Sequence, residues 1–159
     1  MDNDWLQIAG NHIIENGDDD FPELFGQIAR APARLYVKGN LEYLHMPALA
    51  IVGSRNPTQG GARNAREFAR HLAGQGFTIV SGMAQGIDAA AHRGALDGGG
   101  KTVAFLGTGI DRVYPASNRE LAHAIAAGGA LVSEYALGAP PEATPGPNAA
   151  ARSSISLNC

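Results

Sequence analysis

Two glycine-containing segments, about thirty residues apart, have the residue types of an anion-binding site. Gly53-Ser54-Arg55 follows the apolar residues 48–52, and Ser81-Gly82-Met83-Ala84-Gln85-Gly86 follows Ile79-Val80. Glycine lets a ligand approach the backbone, serine offers a hydroxyl donor, and a guanidinium can bind a phosphate through two N–H groups or stack on a base. Loop N–H groups at the start of a helix also favour phosphate. The pattern predicts a phosphate-binding crevice, although an ordinary turn with a solvated Arg55 fits the spacing equally well.

Other polar residues give weaker indications. Asp88 and His92 are four residues apart and would share a helix face, where they could bind a metal or exchange a proton. Because no third ligand lies at motif spacing, a hydrogen bond on the helix surface is the favoured interpretation, with Asp88 as a helix-start residue. Gly107-Thr108-Gly109 lacks the third glycine and the following helix of a dinucleotide-binding fingerprint. We therefore expect neither a metal nor a cofactor.

Composition and charge limit the class of protein. The chain has 159 residues and a formal net charge of −3, which fits one domain with no generally basic surface, so any anion site must be local. A single cysteine, Cys159, permits no internal disulfide. No apolar run approaches the roughly 20 residues of a membrane span, and the first residues do not resemble a secretory signal. A cytoplasmic protein that does not associate with membranes is expected.

The apolar pattern from residue 48 onward predicts alternating strands and helices. The predicted strands are residues 48–52, 78–80, 102–106 and 130–133, and the predicted helices are residues 62–75, residues 86–96 and a helix capped by Asn118. The buried faces are expected to contain Ala62, Ala65, Phe68, Ala69 and Leu72 in the first helix, and Leu121, Ala122 and Ile125 in the third. This order predicts an α/β fold, a Rossmann-like doubly wound parallel sheet that is incomplete at the C-terminus.

The N-terminal third has a less regular pattern. Residues 1–20 suggest a short helix, residues 21–28 an amphipathic helix, and residues 35–37 a strand. We divide the chain into an N-terminal extension (residues 1–44), a partial Rossmann-like core (residues 45–142) and a divergent tail, residues 143–159, that is expected to be disordered.

Four segments, in this order, closely resemble the DprA/Smf family of bacterial DNA-processing proteins: AIVGSRNPTQGG, IVSGMAQGIDAAAHRGAL, KTVAFLGTGIDRVYPASNREL and GGALVSEYALGAPP. The upstream segment DFPELFGQIARAPARLYVKGNLEYL also resembles the stretch that leads into that family's domain, so the resemblance covers about residues 20–141. It implies an extended Rossmann-like fold, sequence-independent binding of single-stranded DNA, and a homodimer. It also implies that the protein loads a RecA-type recombinase onto incoming DNA in natural transformation, and no catalysis is known for the family.

The resemblance also implies a nucleic-acid-binding site. Gly53, Ser54 and Arg55 would contact the DNA backbone, and Ser81, Gly82 and Gly86 would form the adjacent wall. Gln85 stands where many relatives have lysine or arginine, so one phosphate contact is expected to be absent and the salt dependence of binding shallower by about one ion. Arg112 and Arg119 are the candidates to compensate.

The C-terminal segment departs from the family. After SEYALGAPP, the arginine- and asparagine-rich continuation of the family is replaced by ATPGPNAAARSS, which suggests a truncation or an out-of-frame reading near residue 143. On that hypothesis the second half of the sheet and the surfaces for dimerisation and recombinase binding would be absent. An inactive fragment is therefore one alternative. Another is a nucleoside-monophosphate-hydrolysing enzyme, similar to cytokinin-activating phosphoribohydrolases, although their Pro-Gly-Gly-x-Gly-Thr loop does not occur here.

Overall fold

The computed structural model describes residues 1–141, so the predicted tail at residues 143–159 lies outside the described residues. The strands are β1 (Asn11–Glu15), β2 (Arg34–Gly39), β3 (Ala48–Ala50), β4 (Thr78–Ser81), β5 (Thr102–Phe105) and β6 (Ala130–Ser133). The α-helices are α1 (Asp2–Leu6), α2 (Glu23–Gly26), α3 (Gln59–Gly74), α4 (Ile87–Asp97) and α5 (Arg119–Gly128), and two 3₁₀ helices span Leu41–Leu44 and Ala116–Asn118. Of these helices, none has the length and apolar character that a membrane crossing requires.

All six strands form one sheet in the order β1-β2-β6-β5-β4-β3. The last four strands along the chain pair in parallel, joined by α3, α4 and α5, which confirms the predicted Rossmann-like α/β fold. The first two strands extend this sheet with antiparallel pairing, β1 on β2 and β2 on β6, so the sheet is mixed. The N-terminal residues thus cover the outer edge of β6.

The prediction of a helix within residues 1–20 is correct for α1 but wrong for β1. Gly10 has a φ of +83°, a conformation that suits glycine, and the chain then enters β1. Adjacent isoleucines of β1 face opposite sides of the sheet: Ile14 is buried in one core cluster, and Ile13 packs against another. Pairing with β2 thus decides the local structure, which the helical spacing of the apolar residues did not indicate.

The two faces of the sheet are covered differently. On one face, Leu131 and Ala104 pack against Leu121 and Ile125 of α5 in one buried cluster. The opposite face carries the alternate strand residues, and N-terminal aromatic residues cover it; the cluster contains Phe21, Phe25, Leu35, Val37, Val80, Val103 and Val132. Because β3 to β6 are parallel, their carboxyl ends lie at one edge of the sheet, where the candidate site lies.

Helices α3 and α4 pack closely through small residues. Their shared cluster contains Ala69, Ala73, Ala91 and Ala95, and a Cβ at Gly94 would collide with the Arg66 carbonyl oxygen of α3. The prediction that Phe68 belongs to the buried face of α3 is wrong, because its side chain is 66% exposed. Alanine and glycine bring α3 and α4 so close together that no phenyl ring fits between them.

Substitution of two phenylalanines tests this assignment. Phe25 is buried and stacks on Phe105 with ring centroids 5.3 Å apart, so Phe25→Ala should lower the free energy of unfolding by about 3 to 5 kcal/mol. Phe68→Ala should change it by no more than about 0.5 kcal/mol, because the ring already contacts water. Urea unfolding of both variants measures the difference, and equal losses would show that Phe68 is packed in solution.

Candidate nucleic-acid interface

The loops that follow β3 and β4 are in direct contact. Because the two strands are parallel neighbours, their carboxyl ends lie at the same edge of the sheet. The Ile87 N–H donates to the Ser54 carbonyl oxygen at 3.1 Å. A Cβ built on Gly53 would lie 2.9 Å from the Ile87 side chain, which is tighter than ordinary packing. The fold therefore brings the predicted loop residues together.

Gly86 makes this contact possible. Its φ of +84° is rarely adopted by residues with a side chain, and it immediately precedes α4. A Cβ there would collide with the Ser54 carbonyl oxygen and lie 2.8 Å from that of Arg55. Gly86 is thus required for the close approach of the two loops.

Asp88 lies beneath the junction of the loops. It is buried, so the expectation of a hydrogen bond on the helix surface is wrong. Burial raises the pKa of its carboxyl group, an effect that is opposed by the nearby Ser81 hydroxyl, by hydrogen bonds with the Ala84 and Gly53 backbone, and by the charge of Arg55. A Cβ at Gly82 would lie 2.7 Å from Asp88 Oδ2. Asp88 therefore accepts backbone donors from both loops and holds them together.

This role of Asp88 changes the expected chemistry of the site. The sequence pattern suggested that backbone N–H groups of these loops would bind a phosphate, but those of Gly53 and Ala84 hydrogen-bond with an internal carboxylate. Ser81 is also internal, and its hydroxyl donates to the Ile51 carbonyl oxygen at 2.6 Å. The side chains of Ser54, Arg55 and Gln85 are exposed and remain available to a ligand. Ser54 Oγ also accepts the Asn56 N–H at 3.0 Å, which fixes the turn.

His92 is fully buried below the same loops. Its Nε2 lies 2.7 Å from the Gly82 carbonyl oxygen and its Nδ1 lies 2.6 Å from Thr102 Oγ1, which in turn lies 2.7 Å from the Ile79 carbonyl oxygen. Burial lowers the pKa of the imidazole to about 4, so it is neutral near pH 7, and its Nε2 donates to the Gly82 carbonyl oxygen. Residues 1–141 contain no cluster of three metal-ligating side chains, and His92 acts as a structural support for β4 and its loop.

His92 makes stability depend on pH. Since its folded pKa of about 4 lies below the ordinary value of 6.5, the unfolded chain binds more protons between these values, and stability falls as the pH drops through this window. We expect a loss of about 2 kcal/mol between pH 7 and pH 5. Asp88, whose pKa is raised, has the opposite dependence, because its contribution is present at low pH and is lost as the pH rises through its folded pKa.

Urea unfolding at pH 7 and pH 5 measures this loss, and His92→Gln is the matched variant. A glutamine side chain at this position would keep a donor and an acceptor but could not titrate, so the difference between the two pH values should shrink by most of that amount. An unchanged difference in the variant would mean that another group titrates.

Gln85 and Asn118 connect the second loop to α5. Gln85 is exposed, and its Nε2 donates to Ser117 Oγ at 3.1 Å. Asn118 occupies the predicted N-cap position, but its side chain makes no cap hydrogen bond; instead its amide donates to the Met83 carbonyl oxygen at 2.9 Å. Residues 83–85 are therefore fixed against the turn that precedes α5.

Arg112 and Arg119 lie in a different place from Arg55. Both are exposed and line a groove of about 520 Å³ beside α5, and none of the predicted residues of the first two loops lines it. The proposed compensation for Gln85 would thus act from a neighbouring groove. Sequence reasoning missed two other polar residues of this groove, Lys38 and His123. Lys38 comes from β2, and no local pattern relates it to residues more than seventy positions away.

Fold and site together define a Rossmann-like protein whose strand-end loops present an arginine on a rigid turn. Comparison with known proteins gives the family: the model of DNA recombination-mediator protein A matches residues 12–149, and the chain belongs to that family. It is 46% identical over 140 residues to Protein Smf of Synechocystis sp., covering 86% of this chain and 35% of that protein. It is 43% identical over 124 residues to DNA processing protein DprA of Streptococcus pneumoniae, covering 78% of this chain and 44% of that protein. The resemblance inferred from the four segments is confirmed.

Solved structures agree with this assignment. The X-ray structure of DprA from S. pneumoniae superposes with a TM-score of 0.80 at 34% identity, covering 99% of this chain and 54% of that one. DprA from Helicobacter pylori, whose structure concerns a single-stranded DNA binding mode, superposes with a TM-score of 0.75 at 32% identity, covering 84% and 59%. The chain thus spans about a third to a half of the length of its curated relatives.

Proposed function

We propose that this chain binds single-stranded DNA at the junction of the loops after β3 and β4, with Arg55 as the main contact to the DNA backbone. The supporting observation is that Arg55 is exposed on a turn that Asp88, Gly86 and Ile87 hold in place. A guanidinium on a fixed turn loses little freedom when it binds a phosphate. The relative from H. pylori, which binds single-stranded DNA, has the same fold and supports this ligand.

Six further residues complete the proposed interface in two ways: Gly53, Ser54, Ser81, Gly82, Gln85 and Gly86. Ser54 and Gln85 are exposed, so their side chains can reach a strand. The glycines and Ser81 act indirectly, because they allow the loops to meet and hold Asp88 below them. The interface therefore depends on few ligand-facing groups and many supporting ones.

The role we infer is binding and not catalysis. Asp88 and His92, the pair whose spacing suggested proton exchange, are buried and hydrogen-bonded to loop groups and to Thr102. From the resemblance to the longer relatives, we also propose that the chain pairs with a second copy and presents DNA to a RecA-type recombinase during natural transformation. We propose that it acts in the cytoplasm. The division into residues 1–44 and 45–142 stays a prediction, as does the tail.

Equilibrium binding of labelled oligonucleotides tests the proposal. Single-stranded oligothymidine should bind more tightly than a duplex of the same length, with log K falling linearly against log salt by about 0.7 for each phosphate contact. The folded fraction is measured by circular dichroism on the same samples. Equal affinity for the two forms, or no binding by a folded sample, would contradict the proposal.

A further inference from the structure

The groove beside α5 combines positive charge with an exposed aromatic ring. Its cations are Arg112, Arg119 and Lys38, and His123 lines it with them. Tyr114 at its rim is 60% exposed. Apolar residues of the lining include Ile110, Ala122 and Leu131. Cations for a phosphate, an aromatic face for a base and an apolar floor are the three features that nucleotide recognition requires.

The positive charges of this groove are not neutralised by neighbouring carboxylates. Within residues 1–141, the ion pairs involve none of Lys38, Arg112 and Arg119. Asp111 is the acidic residue of the lining, and its Oδ1 accepts the Gly138 N–H at 2.8 Å. The groove therefore keeps an excess of positive charge in a chain whose net charge is −3.

The wall that carries Arg112 is fixed. The Arg112 N–H donates to the Gly109 carbonyl oxygen at 2.9 Å, and its own carbonyl oxygen accepts the Thr108 hydroxyl at 2.8 Å. Ser133 Oγ of β6 donates to the Thr108 carbonyl oxygen at 2.6 Å. A rigid wall lowers the ordering cost of binding, as expected for a preformed site.

The groove is also linked to the Arg55 loops. Gln85 contacts Ser117, and Asn118 holds the Met83 carbonyl oxygen; the next residue, Arg119, lines the groove. The turn at residues 116–118 thus separates the two places, and both border it. The Gln85 side chain thus lies against the turn that leads into Arg119.

We propose that this groove is a second nucleotide-binding site, in which Arg112, Arg119 and Lys38 bind the phosphate of one nucleotide and Tyr114 stacks on its base. The inference rests on the proposed function for the source of its ligand, a single strand already bound at Arg55. A free nucleotide has the same chemistry and is the alternative source. Occupation of both places lets one strand gain the affinity of two linked contacts.

The double variant Arg112→Ala/Arg119→Ala tests the groove. We expect its affinity for a long oligothymidine to fall at least about tenfold, because two charge-assisted contacts are lost, and its salt slope to become shallower by about 1.4. The matched control is Arg70→Ala/Arg93→Ala, which removes the same charge from exposed positions in the C-terminal halves of α3 and α4, outside the groove lining. Equal losses in the two double variants would show only a general effect of charge and would overturn the site.

A fluorescent reporter gives a second measurement. In Tyr114→Trp, a base that stacks on the introduced indole ring should quench its fluorescence. The wild type, whose single tryptophan is Trp5, gives the background emission. Quenching by oligothymidine and not by thymidine monophosphate supports a strand as the source, and quenching by both supports a free nucleotide. No quenching by either one, with unchanged affinity of the groove variant, overturns the proposal. A change of oligomeric state in the groove variant, with DNA binding unchanged, would instead identify a protein interface and would also overturn it.

The two proposals can fail separately. If Arg55→Ala has no effect but the groove variant loses affinity and Tyr114→Trp is quenched, the groove site stands and the Arg55 site falls. If Arg55→Ala abolishes binding but the groove variant behaves like its control, the reverse holds.

Discussion

Replacing Arg55 by alanine should lower the affinity for oligothymidine by a factor of about ten to one hundred at low salt. A charge-assisted contact to phosphate contributes about 1.5 to 3 kcal/mol, and each 1.4 kcal/mol is a factor of ten in affinity. The slope of log K against log salt should become shallower by about 0.7. Fluorescence anisotropy across a salt series measures both quantities.

The fold should tolerate this change, because the Arg55 side chain is exposed. Its charge lowers the pKa of the Asp88 carboxyl group, so its removal should raise that pKa further and slightly reduce stability near pH 7.

Arg93→Ala is the matched control, since it removes one exposed arginine from α4. Arg55→Lys keeps the charge but not the two-pronged geometry and should lie between wild type and alanine. Wild-type affinity in Arg55→Ala would falsify the proposed contact.

Replacing Gly86 by alanine should destabilise the chain by about 3 kcal/mol and also weaken DNA binding. Two costs combine: a φ of +84° in a residue with a side chain, and a collision between Cβ and the Ser54 carbonyl oxygen. The loops can separate only by breaking the hydrogen bond from the Ile87 N–H to that oxygen. Separation would move Arg55 away from the position that Asp88 supports.

Gly99→Ala separates these two costs. Gly99 also has a positive φ, +68°, but a Cβ there would meet no atom within 4 Å. This variant should therefore lose only about 1 to 2 kcal/mol and keep its affinity for DNA. Urea unfolding and anisotropy are measured on both variants. If the two glycine variants lose the same stability and both bind normally, the close approach of the loops has no role in binding.

The parallel part of the fold could be predicted because local patterns and tertiary packing agree there. Strands β3 to β6 are short apolar runs with glycines nearby, and segments with helical periodicity lie between them. The antiparallel strand β1 could not be predicted, because a five-residue segment with two adjacent isoleucines fits a helix as well as a strand. Only its pairing with β2 decides between them. The prediction that Phe68 is buried failed for a related reason. Periodicity indicates which residues share a helix face, but the spacing between α3 and α4 decides which of these side chains fit between the two helices.

The candidate site could be predicted only in part. Glycine, serine and arginine after two parallel strands indicated where the loops meet. The sequence also placed Asp88 at the start of α4, but we did not predict that its carboxylate turns inward to the backbone of both loops. A carboxylate one residue into a helix that follows a glycine-rich loop is the signal that could have indicated this. The groove beside α5 joins residues from β2, α5 and two loops, and such a combination follows from topology alone.

The inward carboxylate of Asp88 has a consequence for selectivity among anions. Because it occupies the Gly53 and Ala84 backbone groups, a small anion such as inorganic phosphate would find only one charged partner at this loop, whereas a polymer could engage Arg55 and further cations simultaneously. Affinity should therefore rise steeply with the number of linked phosphates, and millimolar free phosphate should displace a long strand poorly. The buried Asp88 carboxylate thus makes binding depend on the length of the polyanion, because long polyanions gain an advantage over the abundant small anions.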